Sequence, residues 1–222
     1  MAPPPHRKGR AWLVVGIVAV SLAVLAGLAY LGKQVISGGG TARAFPAAEY
    51  RLTVPRTLLG DDYRLIKDSS KEVDAEARKG SDYSGPTWRT SSTVTGSYNG
   101  TATDGNRGLV LVGMSGQFTS PERQRDSLLK GMREADGMSE PNPSRTIRPT
   151  GSDAELECTV LRSHDASGTS TVPVCAWGDA NTVAYVAFLT PADAAQDPAS
   201  VDLDATARKV LEVRAEVRRP IG

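Results

Sequence analysis

Two cysteines, one downstream histidine and a few spaced acids are the side chains whose types could do chemistry. Cys158 and Cys175 are the only cysteines in the chain. If Asp165-Ala166-Ser167-Gly168 turns a hairpin, Cys158 falls opposite Cys175, Leu156 opposite Trp177 and Val160 opposite Pro173. All six then share one face, because strand side chains alternate. A cross-strand disulfide suits a non-hydrogen-bonded pair, whose Cα atoms lie about 4.5 Å apart. Pro173, lacking an N–H, is harmless to that pairing provided the strand's other side is an edge or a bulge there. A redox or metal site is the competing reading, but there is no C-x-x-C spacing, and His164 falls on the turn. The expected product is a structural disulfide.

Other chemistry finds little support. A serine hydrolase needs serine, histidine and an acid together. His164 beside Asp165 supplies two of these, but on a hairpin tip that cannot exclude water, and no G-x-S-x-G elbow is present. Glu155 and Glu157 have the spacing of a solvated strand face. Gly113-Met114-Ser115-Gly116 lacks the lysine of a phosphate loop. Asp179 and Asn181 have oxygens for an ion, yet side chains of this kind in Gly178-Asp179-Ala180-Asn181 more often close a turn on nearby backbone. We assign no catalytic residue, no cofactor and no metal.

The elements that position these residues follow from pattern. Residues 50–54 alternate, Pro55 interrupts, and 63–67 resume a strand after the Gly60-Asp61-Asp62 turn. Residues 69–79 allow at most a short helix. Residues 79–97, rich in Gly, Ser and Thr, read mostly as surface loop, and Asn99-Gly100-Thr101 reads as a turn rather than a glycosylation site. GLVLVGMSGQF over 108–118 is continuous enough for a strand buried on both faces at the sheet centre. Ser120-Pro121-Glu122 carries helix-start signals: a capping hydroxyl, proline at the first position and an acid at the positive end. Leu128, Leu129, Met132 and Ala135 give that helix its apolar side, and it should stop near Gly137. The proline-rich stretch 138–153 is expected to be a long loop. Residues 182–189 (TVAYVAFL) form a strand. A closing helix over 203–218 presents Leu203, Ala207, Val210, Leu211 and Val217, with Arg218 and Arg219 complementing its C-terminal dipole.

One segment governs location. Residues 11–31, AWLVVGIVAVSLAVLAGLAYL, carry no charge. As a helix they reach roughly 32 Å, against a hydrocarbon core of about 30 Å. Trp12 and Tyr30 sit at the two interfaces, and Arg7, Lys8 and Arg10 precede the span, so residues 1–10 are a cytoplasmic tail and the remainder lies outside. Ala42-Arg43-Ala44 offers small residues for signal peptidase, but the apolar run is longer than a signal peptide's. We read it as an uncleaved anchor. Ala19, Ala23 and Gly27 form a small-residue stripe that is ordinary for such helices. Residues 32–44 form a flexible linker, and 45–222 form one extracytoplasmic domain.

Composition narrows the partner. The chain holds 26 Lys and Arg against 25 Asp and Glu. Phosphate-backbone binding demands a clustered cationic surplus, so nucleic acid is not expected. The exported thiols lie where oxidation is favoured. Aromatics are only 5% of residues, which leaves few to line a sugar cleft.

Val174-Cys175-Ala176-Trp177-Gly178-Asp179, the upstream cysteine, the apolar strand that follows and a closing helix ending VRAEVRRP together carry a family likeness. Over residues 47–220 the chain resembles uncharacterised single-pass envelope proteins of high-GC actinobacteria. The resemblance implies an exported α+β domain and assigns no reaction. We therefore expect an α+β fold, with an antiparallel sheet of four to six strands and two helices on one face. Its expected role is non-catalytic binding of an envelope protein or component at the cell membrane. The alternatives are an envelope hydrolase using His164 and a small-molecule-binding exported domain.

Overall fold

The computed structural model describes residues 44–80, 83–101, 107–165, 168–189 and 196–222. The tail, the span with Arg7, Lys8, Arg10, Trp12 and Tyr30, and nearly all of the linker lie outside the described residues. Among those described, no helix is long and apolar enough to cross a membrane.

In chain order the strands are β1 (Tyr50–Leu52), β2 (Thr57–Leu58) and β3 (Tyr63–Asp68), then helix α1 (Ser70–Ala77), β4 (Ser84–Gly85), β5 (Trp88–Gly100) and β6 (Gly108–Phe118). Helix α2 (Pro121–Arg133) leads to β7 (Met138–Ser139), β8 (Arg145–Ile147), β9 (Leu156–Asp165), β10 (Gly168–Gly178) and β11 (Thr182–Leu189). A 3-10 turn (Pro198–Ser200), helix α3 (Leu203–Val217) and β12 (Arg218–Pro220) complete the described elements.

The apolar run of β6 takes the sheet's interior, as its composition requires. It lies between β5 and β11 in an antiparallel order β2-β3-β5-β6-β11-β10-β9-β7, with β4 added to β5 and β8 to β9. The fold is α+β, but this sheet has ten strands among the described residues rather than four to six. The largest source of the difference is β5, a thirteen-residue strand across a stretch expected to be loop. Its middle is buried from Thr93 to Tyr98. Threonine suits a pleated surface, and its polar groups find partners: the Thr93 N–H and hydroxyl reach the Asp74 carboxylate at 2.8 and 3.2 Å, and the Ser70 hydroxyl accepts the Thr95 N–H. Asn99 and Gly100 continue the strand instead of turning it. The expected loop 138–153 also holds the short edge strands β7 and β8.

The sheet is covered on both faces. Leu128, Leu129 and Met132 of α2 pack with Val112, Val174 and Tyr185, and Val73 of α1 joins that side. Ala207, Val210, Val213 and Val217 of α3 pack with Leu111, Cys175, Trp177 and Val186 on the other. The two long helices therefore flank the sheet instead of sharing a face. Strand alternation explains this: β10 and β11 are apolar at odd and even positions alike, so each face needs a cover. Ser120 precedes α2 but makes no side-chain cap, whereas Asp202 caps α3 by accepting the Ala205 N–H at 2.8 Å.

β1 and β12 form a separate two-stranded ribbon. Leu52 carries it onto the sheet above Gly113, where a Cβ would stand 2.5 Å from Leu52 Cδ1 and from Ala184 Cβ. The Ser115 hydroxyl accepts the Leu52 N–H at 2.8 Å.

Candidate functional site

Cys158 and Cys175 are bonded, and both side chains are buried. The hairpin register pairs Asp165 with Gly168, Val160 with Pro173, Cys158 with Cys175 and Leu156 with Trp177, as the spacing predicts. Their Cα atoms are 4.1 Å apart, the close approach of a non-hydrogen-bonded pair. Pro173 causes no loss because the β10–β11 ladder begins one residue later, at Val174. Leu156, Cys158, Val160, Cys175 and Trp177 all enter the core beneath α3.

The hairpin leads to a network that spacing alone does not reveal. Asp179 accepts the N–H groups of Asn181 and Thr182 at 3.0 and 2.8 Å, closing the β10–β11 turn. Its other oxygen accepts the Thr182 hydroxyl at 2.8 Å, and that hydroxyl in turn accepts the Trp177 indole N–H at 3.2 Å. The same oxygen meets Arg214 Nη2 at 3.0 Å and Arg218 Nε at 3.2 Å. Arg218 also lies 3.3 Å over the Tyr50 ring centroid. Burial would raise the Asp179 carboxyl, but the turn bonds and the charges of Arg218 and Arg214 outweigh it and hold it below the usual carboxylate range. Sequence reasoning found the turn but missed the two arginines, which arrive from the far end of the chain.

Asn181 is the second half of this joint. Its amide donates to Ala47 O at 2.7 Å, and its oxygen accepts the Glu49 N–H at 3.1 Å. Upstream, the Arg89 guanidinium covers the Phe45 ring at 4.1 Å, and Gln117 Nε2 donates to Pro46 O at 2.6 Å. Residues 45–49 are thus held against the end of the sheet where β6 finishes and β11 begins. The β9–β10 tip with His164 lies at the opposite end. Along the eleven residues of β6 the two ends are about 33 Å apart.

The remaining candidates scatter. His164 is exposed, with Nδ1 3.0 Å from the Thr169 hydroxyl. Glu155 faces Arg148 at 3.1 Å and Arg125 at 3.7 Å, while Glu157 accepts the Thr146 hydroxyl at 2.8 Å. Gly113-Met114-Ser115-Gly116 is strand β6, and Gly116 allows close approach of Arg89 O. A cleft of about 210 Å³ lies between β8 and the first turns of α3, lined by Ile147, Arg148, Thr150, Asp204 and Arg208. It is smaller than the roughly 300 Å³ at which ligand pockets begin. Among the described residues no cluster of three or more metal-binding side chains occurs. Comparison with family models, curated proteins and solved structures finds no match to this chain.

Proposed function

We propose that the chain is a non-catalytic binding domain held on the outer side of a bacterial cell membrane by residues 11–31. The observation that carries this reading is the disulfide bridging the β9–β10 hairpin, downstream of an uncharged segment of bilayer length. Disulfides persist where the surroundings are oxidising, and sidedness from Arg7, Lys8 and Arg10 sends the cysteines to that side. The likeness to actinobacterial envelope proteins points the same way. Because residues 45–49 are fastened to one end of the sheet, the opposite end is the one left to meet a partner.

Protease added to intact cells tests location. The C-terminal domain should be digested from outside, and its two thiols should resist alkylation until reduced. A protected domain with freely reacting thiols would overturn the reading. For binding, crosslinking from solubilised envelope should return a recurrent protein or envelope component. An activity abolished by His164→Ala would replace binding with hydrolysis.

A further inference from the structure

The terminal ribbon sets two like charges opposite each other. In the antiparallel register Arg51 pairs with Arg219. Opposed strand residues have Cβ atoms about 4.5–5.5 Å apart, and equal charges there are destabilising. Both arginines are exposed, and neither side chain has a partner among the described residues. Their neighbours turn the other way: Leu52 is buried, and Arg218 is engaged by Asp179 and Tyr50. Glu49 is the acid closest along the strand. It is exposed and pairs with neither arginine, so the group keeps an excess of positive charge. Ile221, whose N–H bonds Glu49 O at 2.8 Å, is 43% exposed beside them.

Two unneutralised arginines with an exposed isoleucine fit a surface that is anionic outside and apolar beneath. Chain length supplies the occupant. The ribbon begins at Tyr50, and residues 45–49 are pinned to the sheet end next to it. Only residues 32–44 separate that end from the apolar segment. A linker of that length has a root-mean-square reach of roughly 20 Å, short enough that this end of the domain repeatedly comes within the roughly 10 Å over which surface charge acts.

We propose that Arg51 and Arg219 bind the phosphodiester headgroups of anionic phospholipid and seat this end of the domain on the bilayer. The inference rests on the anchored reading above. It gives the charged pair a role and turns the His164 end outward.

The test uses the full chain reconstituted into phosphatidylcholine vesicles with or without phosphatidylglycerol. A fluorophore at Ala180, exposed on the β10–β11 turn, reports energy transfer to headgroup-labelled lipid. Transfer should rise with phosphatidylglycerol and fall in high salt. Arg51→Gln and Arg219→Gln should each lower the docked fraction relative to the undocked about fivefold, and the double lysine variant should keep it. Neither glutamine variant should melt earlier, because each relieves a repulsion. Equal transfer in the two vesicle types, or a double glutamine variant that behaves as the native chain does, would overturn the proposal. Flotation after alkaline carbonate washing reads the anchor separately. A chain that floats without lipid-dependent transfer refutes headgroup contact alone. If the chain does not float, the anchored reading fails. Headgroup contact then stands only if phosphatidylglycerol vesicles still capture the chain through the two arginines, and falls if they do not.

Discussion

Asp179 and Arg214 meet at 3.0 Å, tying the turn after the disulfide strand to the last turn of the closing helix. Arg218 joins the same oxygen, so one carboxylate holds the hairpin, the helix and the terminal ribbon together. Asp179→Ala should cost about 3 kcal/mol, because it opens the turn and leaves Arg214 only the exposed Asp153 at 3.6 Å and Arg218 only the Tyr50 ring. Asp179→Asn should cost less, since its amide oxygen can still accept the turn N–H groups. Denaturant titration of both variants checks the order.

The same carboxylate predicts acid sensitivity. Its folded pKa is depressed, so its stabilisation is complete above the unfolded value, near pH 4, and is lost as pH falls through the lower folded value. Stability of the native protein should therefore decline below about pH 4, and the Asp179→Asn variant should decline less steeply. Asp74 contributes in the same direction. Burial raises its carboxyl, but bonds from Arg78, Tyr83 and Thr93 lower it further. Equal slopes for native and Asp179→Asn proteins would remove Asp179 from the explanation.

Reduction of the disulfide should lower stability by about 3 kcal/mol on the chain-entropy account. The sequence separation is 17 residues. Cys158→Ala combined with Cys175→Ala should melt earlier in the absence of reductant. Since both sulfurs are buried, native protein should resist reductant until partly unfolded.

Gly113 should not tolerate a methyl. Its Cβ would press Leu52 and Ala184, so Gly113→Ala should cost about 2 kcal/mol. Combining it with Leu52→Ala should cost less than the two separate losses, because one of the crowded partners is gone. Strict additivity in that double-mutant cycle would show that β1 does not sit where it is described.

Two buried tyrosines should answer oppositely to loss of their hydroxyls. Tyr98 donates to Pro55 O at 3.1 Å, while Tyr185 Oη is buried without a hydrogen-bond partner. Tyr98→Phe should cost about 1 kcal/mol, and Tyr185→Phe should be neutral or slightly stabilising. Thermal melts of the two variants side by side decide it.

The hairpin was readable because two cysteines and a turn fix register with no further information, and Pro173 lies just outside the β11 ladder. β6, α2 and α3 were readable because burial repeats at their own periods. β5 was not. Its threonines and serines look like a solvated loop, and their burial becomes favourable only once Asp74 and Ser70 arrive from α1. Helix placement was equally hidden, because an amphipathic stripe says that a helix is covered, not which face of the sheet covers it. The Asp179 network needed contacts across more than thirty residues, and the Arg51–Arg219 opposition needed the register of two strands at opposite ends of the chain.

Since β1 is the first described strand and lies against β12 as well as the sheet, any tension drawn through residue 44 reaches that short ribbon early. Its few rungs and the Asn181 clasp would yield one after another, while the long ladders of β5, β6 and β11 share load across many bonds. The ribbon is thus positioned as a mechanical fuse: a tug from outside would peel the leash from the domain and leave the ten-stranded body whole.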